Sequence, residues 1–183
     1  MKQGKYKGIL FLDMDGVLCT PRMWCARPRS HNALDPVCVQ MLENVVLKYE
    51  LTLVCSSAWR HKKDVPDILA THGFRGHFAR RVLYGETGNY IGESEPLVCN
   101  TKRLCGIGIG RGTEIKLWLS ENSDLMEDPS KFIIFDDEVR DIIEHPELRR
   151  KVVKCDTYNG ITFEAYQKAD KLLERMFKPT NCT

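Results

Sequence analysis

Near its start the chain reads Gly8-Ile-Leu-Phe-Leu-Asp-Met-Asp-Gly-Val-Leu18, an apolar run that ends in two carboxylates one residue apart and then a glycine. Carboxylates are almost never fully buried unless they are paired or hold a metal. Packing therefore gives no reason for two of them at the end of a buried strand, whereas chemistry does. A carboxylate can attack an electrophile, move a proton or ligate a hard cation. Asp13, last on its strand, and Asp15, placed where the backbone has turned out of it, are the first candidates. Gly16 permits the tight turn that sets both. Two more strand-like runs end in polar residues: 51–55 in Ser56-Ser57, and 131–135 in Asp136-Asp137-Glu138.

Strand-like runs alternate with helical patterns, which predicts an α/β fold with a mostly parallel sheet. The first strand is 9–12. Asp35-Pro36 then starts a helix as cap and first-turn proline, with Val37, Met41, Leu42, Val45, Val46 and Tyr49 as its apolar stripe. The run 64–73 reads as a short helix closed by glycine, followed by a strand at 82–84. Residues 85–112 are rich in glycine and polar residues and read as a long loop or hairpin. Thr113 is expected to cap the next helix, with Ile115, Trp118 and Leu119 inward. A strand at 152–155 and a terminal helix over 162–177 complete the pattern. In an open α/β sheet the ligand crevice lies outside the carboxyl ends of the strands. Asp13, Ser56 and Asp136 should therefore converge.

At 183 residues the chain suits a single domain, 1–183. Apolar residues make up 43% and charged residues 28%, which excludes a disordered chain, and no run approaches a membrane span. The N-terminus lacks the pattern of a signal peptide, so a cytoplasmic location is expected. The eight cysteines are scattered without Cys-x-x-Cys spacing and read as small buried thiols rather than a zinc site. Net charge is only +2, but six Lys or Arg fall between 56 and 81 against Asp64 and Asp67, a hint of a polyanionic ligand. Gly106-Ile-Gly-Ile-Gly-Arg-Gly112 fails the GxGxxG spacing of a dinucleotide site.

Asp13-Met-Asp15-Gly-Val, a serine ending the second strand, a basic residue heading a helix, and Asp136-Asp137 together resemble, in order, the four motifs of the haloacid dehalogenase (HAD) superfamily of phosphohydrolases. The runs Ser56-Ser-Ala-Trp-Arg60 and Cys155-Asp-Thr-Tyr-Asn-Gly-Ile-Thr162 further resemble the branch found in RNA-repair proteins and in the phosphatase half of polynucleotide kinase-phosphatases. The resemblance implies a three-layer Rossmann-like parallel sheet with a minimal cap or none. It also implies a Mg²⁺-dependent phosphomonoesterase.

On that reading Asp13 attacks phosphorus to form an aspartyl-phosphate, and Asp15 protonates the leaving oxygen and then deprotonates water. Attack of one anion on another requires charge neutralisation, for which Asp13, the backbone carbonyl of Asp15, Asp136 and Asp137 would hold Mg²⁺. Ser56 would donate to a phosphoryl oxygen, with Ser57 as the alternative. Arg111-Gly-Thr-Glu-Ile resembles the Lys-Gly-x-Ala-Leu form of the third motif, which makes Arg111 the balancing cation and leaves Lys116, five residues on, as the second choice. Trp59, Arg60, Lys62 and Lys63 are expected to contact substrate.

Only 19 residues separate Asp15 from the helix start at Asp35, enough for a flap but not a folded cap. An open site with a basic rim suits a phosphate on a nucleotide or on a nucleic-acid end. The alternatives are a phosphatase for another small metabolite and a non-catalytic phosphate-binding module. Sequence leaves the oligomeric state unknown.

Overall fold

All five residues of the first strand, β1 (Gly8–Leu12), are buried, the pattern of a strand covered on both faces. The computed structural model describes residues 5–26, 33–61, 63–80, 82–84, 90–93, 99–101 and 110–178. In chain order β1 is followed by helices α1 (Pro21–Ala26) and α2 (Pro36–Tyr49), strand β2 (Leu51–Cys55) and helix α3 (Val65–Thr71). Strands β3 (His77–Phe78), β4 (Val82–Tyr84) and β5 (Tyr90–Glu93) come next, then helix α4 (Arg111–Glu121) and strand β6 (Phe132–Asp136). Helix α5 (Pro146–Arg149), strand β7 (Val152–Lys154) and helix α6 (Phe163–Phe177) complete the described fold.

The main sheet is parallel throughout, in the order β3-β2-β1-β6-β7. Side chains alternate across it. Leu10, Leu12, Leu53, Cys55, Ile133 and Phe135 pack with Leu42, Val45 and Val46 of α2 and Ala165, Ala169 and Leu173 of α6. The intervening Ile9, Phe11, Val54 and Ile134 pack with Ile115 and Trp118 of α4, where Phe11 and Trp118 meet edge to face at 5.3 Å. The result is a three-layer α/β sandwich, with the parallel sheet that the alternating pattern predicts and the layering that the family resemblance implies.

The differences from the sequence reading are local. Helix α4 begins at Arg111 with Gly110 as its cap residue, three residues before the expected cap Thr113. Its first turn is held instead by Asp141, whose Oδ2 accepts from the Gly112 N–H at 3.2 Å. A Cβ on Gly110 would fall 2.2 Å from that same Oδ2, so the approach requires glycine. Val37 is 54% exposed and stands outside the buried stripe of α2. Strand β4 is real but pairs antiparallel with β5, in a separate two-stranded sheet. Strand β3, only two residues long, is the fifth strand of the main sheet, and past it Asn100 bridges Cys55 on the same edge of β2. Much of 85–112 and the glycine-rich run 106–109 lie outside the described residues.

Among the described residues nothing forms a folded cap between Asp15 and Asp35, only a turn and the six-residue α1. No described helix is long and apolar enough to cross a membrane. Cys19, Cys38, Cys55, Cys99 and Cys155 are buried. Burial pushes the thiols of Cys38 and Cys55 up to about 11 and about 12.

Asp35 caps α2, its Oδ1 accepting from the Val37 N–H at 2.9 Å while Oδ2 pairs with Arg22. The Asp35→Ala variant should lose roughly 1–2 kcal/mol of stability, the usual worth of an N-cap. Urea unfolding should show this as a lower midpoint at unchanged slope.

Candidate active site

The site follows from sheet register. Leu12 lies opposite Cys55 on one side and Phe135 on the other, so the next row across three strands is Ser56, Asp13 and Asp136. The ladder continues into that row: the Asp13 N–H donates to the Phe135 carbonyl at 3.0 Å, and the Ser56 N–H donates to the Leu12 carbonyl at 2.9 Å. By alternation with Phe11, Val54 and Ile134, all three side chains fall on the α4 face. All three are buried.

From that face the first residue of α4 enters. Arg111 Nη1 lies 2.9 Å from Asp13 Oδ2 and 2.5 Å from Asp136 Oδ2. Although burial disfavours its charge, the two carboxylates hold the guanidinium pKa above its ordinary value. Asp136 also accepts from the Glu138 N–H at 2.9 Å through Oδ1. Even so, burial and the Asp13 charge outweigh Arg111 and push its carboxyl up to about 7.

The Asp13 backbone leads into a turn in which the Met14 carbonyl accepts from the Val17, Leu18 and Cys19 N–H groups at 3.3, 3.0 and 2.8 Å. Gly16 has φ +67° there, and a Cβ on it would fall 2.2 Å from Asp137 Oδ2. Gly16 thereby lets Asp137 close on the turn. One oxygen from each of Asp13, Asp136 and Asp137 lies within 4.8 Å of the others. A crowded set of hard oxygen donors suits Mg²⁺ or a cation like it. Asp15 is exposed on the same turn, outside that cluster, and its Oδ2 accepts from the Trp59 indole N–H at 2.9 Å. Partial desolvation on the turn raises its pKa, opposed by the Trp59 hydrogen bond and reinforced by Asp13.

The model of the HAD domain in Swiss Army Knife RNA repair proteins matches residues 9–166. The chain belongs to that family. No curated protein and no solved structure matches it at a significant level. The matched span contains the whole carboxylate row, Arg111 and the Trp59 turn, so every feature of the site falls within the HAD domain.

Other residues predicted for the site are placed differently. The Ser57 hydroxyl accepts from the Trp59 N–H at 3.4 Å and serves the one-turn 3₁₀ helix Ala58–His61, whereas the fully buried Ser56 hydroxyl has no hydrogen-bond partner among the described residues. A buried hydroxyl beside Asp13 is a donor suited to an anion. Lys116 does not reach the carboxylates: it lies on the outer side of α4 and pairs with Glu147 at 2.7 Å. Trp59 is not an open stacking surface, being 8% exposed with the Lys63 ammonium 3.2 Å from its ring centroid. Lys62 lies outside the described residues.

Arg60 is the clearest departure, because its side chain is only 6% exposed and turned away from solvent. Nη1 donates to the Ser56 and Ser57 carbonyls, both at 2.6 Å, and Nη2 donates to Glu114 Oε2 of α4 at 2.7 Å. It clamps the serine loop to the helix that carries Arg111. Sequence offered no signal for this, since the partners are 54 residues apart.

Two measurements test the electrostatics of the HAD domain. Removing Glu114 strands a buried guanidinium, which costs about 3–5 kcal/mol for such pairs. Glu114→Ala should therefore unfold at much lower denaturant than wild type, and Glu114→Gln, which keeps an acceptor, should lose less. For Asp136 the folded carboxyl keeps a proton that the unfolded chain has already released, so its contribution is full below about pH 4 and is lost as pH rises through about 7. Without divalent cations, the stability of wild type relative to Asp136→Asn should fall across that window, and a pH series of thermal melts would show it.

Proposed function

We propose that this HAD domain, with residues 1–183 as one domain, is a Mg²⁺-dependent phosphomonoesterase acting on a nucleotide or on the phosphorylated end of a nucleic acid. The observation that carries the reading is the row Ser56, Asp13 and Asp136 with Arg111 bridging the two carboxylates.

In the proposed reaction an Asp13 carboxylate oxygen attacks phosphorus while the bond from phosphorus to the ester oxygen breaks. Asp15 passes its proton to that departing oxygen, aided by the partial desolvation that raises its pKa. A water then attacks phosphorus, gives its proton to Asp15 and releases Asp13 and inorganic phosphate. Arg111 and the Ser56 hydroxyl bind the phosphoryl oxygens. Mg²⁺ held by Asp13, Asp136, Asp137 and the Asp15 carbonyl would supply charge neutralisation between the two anions. The approach to this row carries no folded cap among the described residues, which favours a phosphate on a bulky partner. The RNA-repair setting of the family points the same way.

Asp13→Asn should lower kcat by roughly 10³-fold or more, as loss of a nucleophile does elsewhere, and should trap no labelled phosphate where wild type does. Chelation should stop turnover, Mg²⁺ should restore it and Ca²⁺ should substitute poorly, because its looser coordination misplaces the nucleophile. A panel of mononucleotides and oligonucleotides phosphorylated at the 3′ or 5′ end should show the highest kcat/KM on one class of oligonucleotide end. Equal rates on small sugar phosphates would assign a metabolite phosphatase instead, and no turnover of any ester would leave a phosphate-binding module.

A further inference from the structure

Trp59 was expected to touch substrate, yet its indole is buried and its one polar atom is spent inside the protein. The indole N–H donates to Asp15 Oδ2 at 2.9 Å, joining residues 44 apart in sequence. The 3₁₀ turn that carries Trp59 is fixed from several sides. Arg60 ties its start to Glu114, the Trp59 N–H donates to Ser57 Oγ, and the Trp59 carbonyl accepts from the Lys63 N–H at 2.9 Å. Asp15 is exposed on its own turn, where without the indole hydrogen bond its carboxylate would be free to change rotamer.

We infer that Trp59 is a positioning residue for Asp15, its indole N–H fixing the carboxyl and deciding which oxygen holds the transferable proton. The inference rests on the proposed phosphomonoesterase reading. An indole N–H only donates, so the Asp15 oxygen facing it must offer a lone pair. The proton is left to Oδ1, which is free to face the ester oxygen. The Lys63 ammonium over the indole face draws electron density from the ring and strengthens the N–H as a donor. When the phosphorus to oxygen bond breaks, the proton passes from Oδ1 to the leaving oxygen, and the indole hydrogen bond stabilises the carboxylate that remains. In the second half the same carboxylate takes a proton back from water.

The test exploits leaving groups. A p-nitrophenolate leaves without a proton, whereas the alkoxide of a nucleoside needs one, so loss of an aligned acid is felt mainly on the alkyl ester. We would measure kcat/KM on p-nitrophenyl phosphate and on the best phosphorylated oligonucleotide, for wild type, Trp59→Phe, Trp59→His, Lys63→Met and Asp15→Asn. Trp59→Phe should lose about tenfold on the oligonucleotide, a fraction of the 10²–10⁴ that general acid catalysis supplies, and less than about threefold on the aryl ester. Trp59→His, which can return a ring N–H, should recover part of the difference. Lys63→Met leaves the buried indole in place and should lose about twofold on the oligonucleotide, a loss that persists at high salt where a direct Lys63 contact with the phosphate backbone would be screened, which keeps the test decisive if Trp59→Phe fails to fold. Equal losses on both esters in Trp59→Phe and Lys63→Met, or none on either, would overturn the role of Trp59. Asp15→Asn should show the steepest leaving-group dependence; if it shows none, the assignment of Asp15 as the acid falls and the inference falls with it. Retained selectivity in Asp15→Asn with none in the Trp59 and Lys63 variants would overturn the inference alone.

Discussion

Asp13 and Asp136 stand side by side on adjacent central strands, buried and within reach of one guanidinium. Charges in such a setting are not tolerated without a partner, and Arg111 is the partner both carboxylates share. Much of the surrounding structure serves to put that one side chain there. Gly110 lets the start of α4 close on Asp141, Asp141 holds the Gly112 N–H, and the Arg60–Glu114 pair ties the same helix to the end of β2. Ile115 and Trp118, one and two turns further along, lock the helix onto Phe11 and its neighbours. The apolar core and the charged row are therefore one construction, since the residues that bury α4 also aim its first residue.

The turn after β2 has a matching role on the other side of Asp13. Its backbone sends Ser56 into the row, while its side chains go elsewhere: Trp59 to Asp15, and Arg60 to α4. A stretch of four residues thus touches the serine, the outer carboxylate and the helix of the cation. This makes it a geometric hub, although few of its own atoms face the row.

What could be read from sequence divides along range. Strands β1, β2 and β6 and the acids that end them were legible because an apolar run with a polar terminus is a local pattern, and a parallel sheet gathers such ends on one edge. The preference for Arg111 over Lys116 came from the motif resemblance and not from spacing, because which of the two reaches the carboxylates depends on which side of α4 meets the sheet. Trp59 and Arg60 read as substrate contacts because their actual partners lie 44 and 54 positions away. Thr113 looked like the better cap by residue type, but Asp141 supplied the acceptor from a distant segment and moved the helix start. Strand β3 was too short to show any periodicity, and the 82–84 run gave its type correctly but not its sheet.

The place of β1 between β2 and β6 has a consequence for how the chain is made. Its pairing partner β2 follows it closely, but Phe132 of β6 is synthesised about 120 residues after Leu12 (132 − 12). At about 5–20 residues per second, one edge of this wholly apolar strand waits roughly 6–24 s for its neighbour. Over that interval Asp13 has neither Asp136 beside it nor Arg111 in place, because α4 emerges only shortly before β6. The nascent chain thus carries an open apolar edge throughout that interval, the kind of surface that chaperones shield.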